Sequence, residues 1–250
     1  LSQKAKPSTG YRLLALLAEH GVVNSVWTTN FDNLAAKAAW QNGKVTPIEV
    51  GLDTKQRVNR QPARGEILCV SLHGDYRYDS LRNTNQELQS LDNILRRSFV
   101  DHLADKAVVV VGYSGRDDSI MHALDEAYAT QGAGRLYWCG YESSSPPQQV
   151  LHLIEKARAH GHEAHYIPTS GFDDLLYRLS IATLGGEGLK AAGDILSSHR
   201  QAGQASRPFE IPSTQPGELI KSNAFPVTCP GEVFQFEAPA SSVPEPVLMT

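Results

Sequence analysis

Short β-branched runs recur between helix-length segments, and this alternation constrains the chain more than any other feature. Val22-Val23-Asn24-Ser25-Val26-Trp27-Thr28-Thr29 is the first run and Ile67-Leu68-Cys69-Val70-Ser71-Leu72 the second. Ala107-Val108-Val109-Val110-Val111 is the most apolar. Arg135-Leu136-Tyr137-Trp138-Cys139-Gly140 and a shorter run over 163–167 follow it. Helical periodicity occupies 11–20, 32–41, 88–103, 118–130, 150–160 and 173–184 between and after them. Strands that are apolar along their length, separated by helices, predict an α/β fold with a parallel sheet covered by helices on both faces. We expect a Rossmann-like three-layer domain over 1–186. From 187 onward the chain reads as a linker or the start of a following domain. One more helix fits 189–197, whereas Pro, Ser and Glu dominate from 207 on, as in an irregular tail.

Composition narrows the function. The chain has 250 residues, 41% of them hydrophobic, and a net charge of −4. An acidic balance without a basic stripe argues against direct nucleic-acid contact. The basic segment 55–60 and the pair Arg96-Arg97 read as solvated surface. Nothing approaches the ~18 apolar residues of a membrane span. The three cysteines, Cys69, Cys139 and Cys229, form no Cys-x-x-Cys pair, which excludes a four-cysteine zinc site within this sequence. Buried thiols in a reducing, cytoplasmic setting are the expectation for Cys69 and Cys139.

In parallel sheets, ligands bind at the carboxyl ends of the strands. The unusual polar residues fall there: Asn30 and Asp32 after the first run, His73 after the second, and Ser114 after the third. Asn30 and Asp32 have two readings. They support a turn and cap a helix, or they project into a crevice and hold a ribose and a carboxamide. His73 is either a satisfied structural histidine or a general base, with Gly74 allowing close approach of a ligand. Gly112-Tyr113-Ser114-Gly115-Arg116-Asp117-Asp118 opens a helix, where backbone amides can cradle a phosphate or hydroxyl. Its likeness to a Gly-x-Ser-x-Gly nucleophile elbow fails at Arg116. Gly132-Ala133-Gly134 precedes a strand and reads as a loop. His160, His162 and His165 lack a helical zinc spacing and read as surface.

Together these motifs resemble the sirtuin superfamily. Thr28-Thr29-Asn30-Phe31-Asp32 is similar to its Thr-Gln-Asn-x-Asp, Leu72-His73-Gly74 to its Leu-His-Gly, and Gly112-Tyr113-Ser114-Gly115 to its later glycine–serine loop. The likeness runs over about 8–185. The absence of zinc-module cysteines resembles the zinc-free bacterial branch found in anti-phage defence, in which NAD is hydrolysed and depleted. The family's first strand and Gly-Ala-Gly-x-Ser phosphate loop have no counterpart here, so the resemblance implies a domain lacking that part at its N-terminal side, and the start at Leu1 suggests a piece of a longer protein.

The resemblance implies NAD as substrate, no zinc, and catalytic roles for Asn30, Asp32 and His73. Asn30 would orient the nicotinamide ribose and the attacking water, Asp32 would bind the carboxamide, and His73 would take a proton. Thr29, Phe31, Gly74, Gly112, Ser114, Gly115, Asp117 and Asp118 would contact the dinucleotide, the last two on its adenosine half. It further implies homo-oligomers and a fused or associated NTPase or sensor module. The activities weighed are an NAD glycohydrolase, a non-catalytic nucleotide-sensing or oligomerisation module, and an NAD-dependent protein deacylase.

Overall fold

Parallel pairing dominates the computed structural model, which describes residues 6–73, 93–103, 106–142 and 144–205 and the strands at 219–222 and 225–228. Helix α1 (Thr9–Glu19) leads into strand β1 (Ser25–Thr28), helix α2 (Leu34–Asn42) and strand β2 (Thr46–Val50). A 3-10 segment (Leu52–Asn59) precedes β3 (Glu66–Ser71). Then come α3 (Asn93–Leu103), β4 (Ala107–Val111), α4 (Asp118–Ala127), β5 (Arg135–Tyr141), α5 (Gln148–Ala159), β6 (Glu163–Thr169), α6 (Phe172–Thr183) and α7 (Gly186–Ala205). The strands form two parallel sheets of three, ordered β1-β3-β2 and β4-β5-β6. The expected α/β architecture is therefore present, divided between two sheets. Among the described residues, β1 pairs only with β3 and β4 only with β5, so each keeps one unpaired edge.

Burial explains how the two sheets share one body. Successive side chains of a strand point to opposite faces. On β3, Leu68 and Val70 enter one hydrophobic cluster, and Ile67 and Cys69 enter another. The first cluster also takes Leu95 and Phe99 of α3, Ile120 and Leu124 of α4, Leu136 and Trp138 of β5, and Leu153 of α5. It spans both sheets. Trp27 of β1 packs on it, with its ring 5.1 Å from Phe99. The second cluster covers the opposite face of β3 with α1, α2, α6 and α7. Gly10 lets α1 approach α6 closely, because a Cβ there would meet the Phe172 ring at 2.7 Å.

Several elements depart from the sequence expectation for identifiable reasons. The first strand starts at Ser25, because Val22 N–H still bonds Leu17 O (2.9 Å) in the closing turn of α1, with Gly21 in the left-handed region. β2 was not expected, because Pro47 breaks the pattern. β2 lies at a sheet edge, where a missing donor is tolerated. His162, read as surface, is buried at 4% exposure, donates from Nε2 to Thr130 O (2.8 Å) and meets Tyr128 edge-on. Helix α7 is longer than 189–197 and buries Ala192 in the second cluster. Of the expected 88–103 helix, 93–103 is described as helix, and 88–92 lies outside the described residues, as does Cys229.

The chain groups into two units, Leu1–Ala202 and Gly203–Thr250. The second unit contains an antiparallel pair, β7 (Leu219–Ser222) with β8 (Phe225–Thr228), where the sequence showed no clear element. No described helix is long and apolar enough to cross a membrane.

If the shared cluster holds the two sheets together, Trp138, at 2% exposure, and Val109, at 44% exposure on the β4 edge, should differ sharply in cost. Trp138→Ala should lose about 3–5 kcal/mol, and Val109→Ala no more than about 1 kcal/mol, read from urea denaturation midpoints. Similar losses for the two would contradict the placement of the core.

Candidate functional site

The register of β1 and β3 sets the first two site residues side by side. Thr28 pairs with Ser71, and Leu72 N–H donates to Thr28 O at 2.9 Å. Asn30 and His73 each lie two residues beyond that pair, at the carboxyl ends of parallel strands roughly 4.8 Å apart. The turn after β1 is locally built. Thr28 Oγ1 accepts from Asn30 N–H at 3.0 Å, Asp32 Oδ1 accepts from Leu34 N–H at 3.2 Å, and Asn33 adopts a left-handed conformation at φ 52°. Asp32 thus supports the start of α2, as the structural reading proposed, without being its N-cap residue. Asn30 stays exposed, Phe31 is 36% exposed, and Thr29 and Asp32 are half-buried.

Asn30 and Asp32 face a residue the sequence reading passed over. Burial raises the Tyr11 phenol above its ordinary value, and the Asp32 charge raises it further, while the Asn30 side chain works in the opposite direction. Tyr11 is held by α1 and packs against Phe172 at 4.9 Å. The neighbouring Asp173 joins the same two helices by accepting from Ser8 Oγ (2.7 Å) and Gly10 N–H (2.9 Å). No local pattern marks Tyr11, because its partner Phe172 lies far along the chain.

His73 is 4% exposed. Its Nε2 lies 2.7 Å from Asp117 Oδ2. Its Nδ1 is buried and has no hydrogen-bond partner among the described residues. The contact joins the end of β3 to the loop after β4, so it brings the carboxyl ends of strands from both sheets to one place. Asp117 is fixed from behind as the N-cap of α4. Its Oδ1 accepts from Ser119 N–H (2.9 Å), Ser119 Oγ (2.7 Å) and Ile120 N–H (3.2 Å). Its backbone carbonyl accepts from the Tyr113 hydroxyl at 3.1 Å. Burial works against the charged form, but these hydrogen bonds and His73 outweigh it and hold the Asp117 carboxyl below its ordinary value.

The remaining loop residues serve different purposes. Gly112 is exposed at φ 68° with open space where a Cβ would stand, and Ser114 is exposed. Gly115 is buried at φ 77°, and its carbonyl accepts from Gln149 Nε2 of α5, so it shapes the turn. Asp118 is exposed in the first turn of α4. Two of the helix-start amides expected to cradle a phosphate are engaged by Asp117 itself. Gly74 lies outside the described residues. Among the described residues, no hydrogen bond joins Asn30 or Asp32 to His73.

A separate cavity of about 310 Å³ opens between α2 and β2, lined among others by Asn33, Trp40, Glu49 and Ser71, and none of the expected site residues lines it. Among the described residues, no group of three or more His, Cys, Asp or Glu side chains is placed to hold a metal. Cys69 and Cys139 are free and buried. Burial, and then the Glu49 charge, push the Cys69 thiol up to about 12, and burial pushes Cys139 up to about 11, so neither supplies a thiolate nucleophile at neutral pH.

A protein-family model described as a SIR2-like domain matches residues 24–174. The match starts just before β1, ends in the first turn of α6 and includes Asn30, Asp32, His73 and Asp117. No curated protein matches the chain.

The Asp117 carboxyl gives the site an acid-side signature. A depressed folded value contributes stability above the unfolded carboxylate value of about 3.9 and loses it as pH falls through the folded value. Melting temperatures followed downward from about pH 5 should therefore fall less steeply for Asp117→Asn than for the unmodified protein. Parallel curves would show that Asp117 carries no such linkage.

Proposed function

The chain belongs to the SIR2-like domain family, and from that membership we propose that it is the catalytic part of an NAD glycohydrolase. Membership is consistent with an NAD-related function. The finer reading rests on one observation: His73 is buried, tied through Nε2 to a carboxylate, with Nδ1 unpaired among the described residues, and it shares its strand-end register with Asn30.

The reaction is hydrolysis of the bond between nicotinamide and ribose. Water adds to the ribose carbon, the C–N electron pair leaves with nicotinamide, and one proton is released. Because a pyridinium departs as a neutral pyridine, no general acid is needed. Positive charge grows on the ribose instead, and negative groups nearby stabilise it. Asp32 is the carboxylate for that task, on the strand-end turn beside Asn30. Asn30, exposed and able to donate and accept, orients the ribose and the water. His73 takes the proton at Nδ1. The exposed backbone around Gly112 and Ser114 is suited to sugar hydroxyls more than to phosphate, because the Asp117 carboxylate already engages amides of the adjoining helix start.

The phosphates need another seat. Among the described residues, β1 and β4 each keep an unpaired edge, and the family resemblance implies a strand followed by a glycine-rich phosphate loop, which would pair there. The half-exposed valines of β4 support that reading, since an all-apolar strand normally lies inside a sheet. By the same resemblance, the biological output would be depletion of NAD in bacterial anti-phage defence.

Nicotinamide release by the full-length protein should fall by about 10²–10⁴-fold in His73→Ala, the usual loss for a positioned base. Asn30→Ala should fall comparably, and both variants should keep their melting temperatures within a few degrees. Wild-type turnover in either variant would overturn the assignment. Release that depends on an added acyl-peptide would instead indicate a deacylase. NAD binding without release would indicate a sensing module.

A further inference from the structure

The Asp117–His73 contact carries more than proximity. We propose that Asp117 is a positioning residue that locks the His73 ring as the Nε2–H tautomer, making Nδ1 the atom that receives the proton. The inference rests on the NAD-cleavage reading for its kinetic consequence, while the tautomer itself follows from the hydrogen bonds.

Four observations lead to it. An ionised carboxylate only accepts hydrogen bonds, so at 2.7 Å from Asp117 Oδ2 the His73 Nε2 must carry the hydrogen. The neutral ring then holds its lone pair at Nδ1. That nitrogen is the one left buried without a partner among the described residues, as expected for an acceptor whose donor arrives with the substrate. The carboxylate cannot turn away, because Oδ1 is engaged by both donors of Ser119 and by Ile120 N–H, and the Tyr113 hydroxyl holds the Asp117 carbonyl. Finally, His73 is 4% exposed, so bulk water has little access to exchange one tautomer for the other.

The chain thus divides the work of one aspartate between its two oxygens. Oδ1 caps α4, and Oδ2 sets the ring. Giving Asp117 this duty differs from the contact with the adenosine half that the resemblance implies. Its influence on the reaction would pass through His73.

Asp117→Asn separates the two duties. Asparagine is as good an N-cap as aspartate, so Oδ1 and the fold are retained. The second oxygen becomes an NH₂ that can only donate, which forces Nε2 to accept and moves the hydrogen to Nδ1. An amide for carboxylate exchange of this kind leaves geometry intact and installs the wrong tautomer.

The test has two arms. In the first, ¹⁵N-histidine NMR on the alkaline side of neutrality, with the His73 signals assigned through His73→Gln, should show Nε2–H in the unmodified protein and Nδ1–H in Asp117→Asn. In the second, the full-length Asp117→Asn protein should lose about 10²–10⁴-fold in kcat for nicotinamide release. Its KM for NAD should stay within about twofold, as expected when only transition-state interactions are lost. The variant should stay folded at neutral pH, its melting temperature lowered by no more than the modest contribution of the depressed Asp117 carboxyl. The same tautomer in both proteins, or wild-type kcat in the variant, would overturn the proposal. Absence of nicotinamide release from the unmodified full-length protein would instead sink the glycohydrolase reading, with the tautomer arm still deciding the role of Asp117.

Discussion

Two sheets of three strands cannot each bury both faces alone, and the hydrophobic cluster running beneath both is what the rest of the molecule depends on. Leu68 and Val70 from one sheet and Leu136 and Trp138 from the other enter the same apolar volume, closed by α3, α4 and α5. Burial at roughly 25 cal/mol per Å² favours this common core over two separate ones. Its functional consequence is geometric. With both sheets resting on the same helices, the carboxyl end of β3 reaches the loop after β4, and His73 meets Asp117. The surface ion pair between Arg96 of α3 and Glu126 of α4, at 2.6 Å, lies on exposed side chains and adds little to that placement.

The placement of polar residues at strand ends was legible because it rests on local chemistry. A β-branched run followed by Asn or His states both a strand and its end, and β1 and β3 end within a residue of where those signals put them. What the sequence could not display is pairing. The alternation of strands and helices does not say that β1 pairs with β3 and not with β4. The motif Asp117-Asp118 reads equally as a ligand contact, a helix cap or a ring partner, and only the distance to His73, 44 positions away, separates these. Tyr11 was invisible for the same reason, since Phe172 and the Asn30 turn give it meaning. β2 was hidden by Pro47, whose missing donor matters only when both neighbours of a strand are known.

The valines of β4 show a related limit. Continuous apolarity predicts a strand buried on both faces, and Val108 and Val110 do pack on the shared cluster. Val109 nonetheless stands 44% exposed on a strand whose other edge has no partner among the described residues. A sequence adapted to the middle of a sheet therefore sits, in these residues, at a margin. The same holds for Trp27 on β1, whose ring is packed on α3 while its indole N–H is buried without a partner among the described residues. Composition here reports the environment a strand is suited to, and the described pairing supplies only part of it.

The electrostatics of the site form a short causal chain. A helix start presents unpaired amides and a partial positive charge, which favours a carboxylate at its N-cap. In α4 that carboxylate is Asp117, and the amides of Ser119 and Ile120 keep it ionised. An ionised Asp117 can only accept, and this fixes which nitrogen of His73 bears hydrogen. The field that an NAD-binding fold often directs at phosphate is thus spent, in this loop, on an internal anion. A phosphate brought close to it would meet like charge, whereas a neutral ribose hydroxyl would not. Under the proposed reaction the β4–α4 loop would serve the sugar and proton-transfer side, where the buried His73 Nδ1 has no hydrogen-bond partner among the described residues.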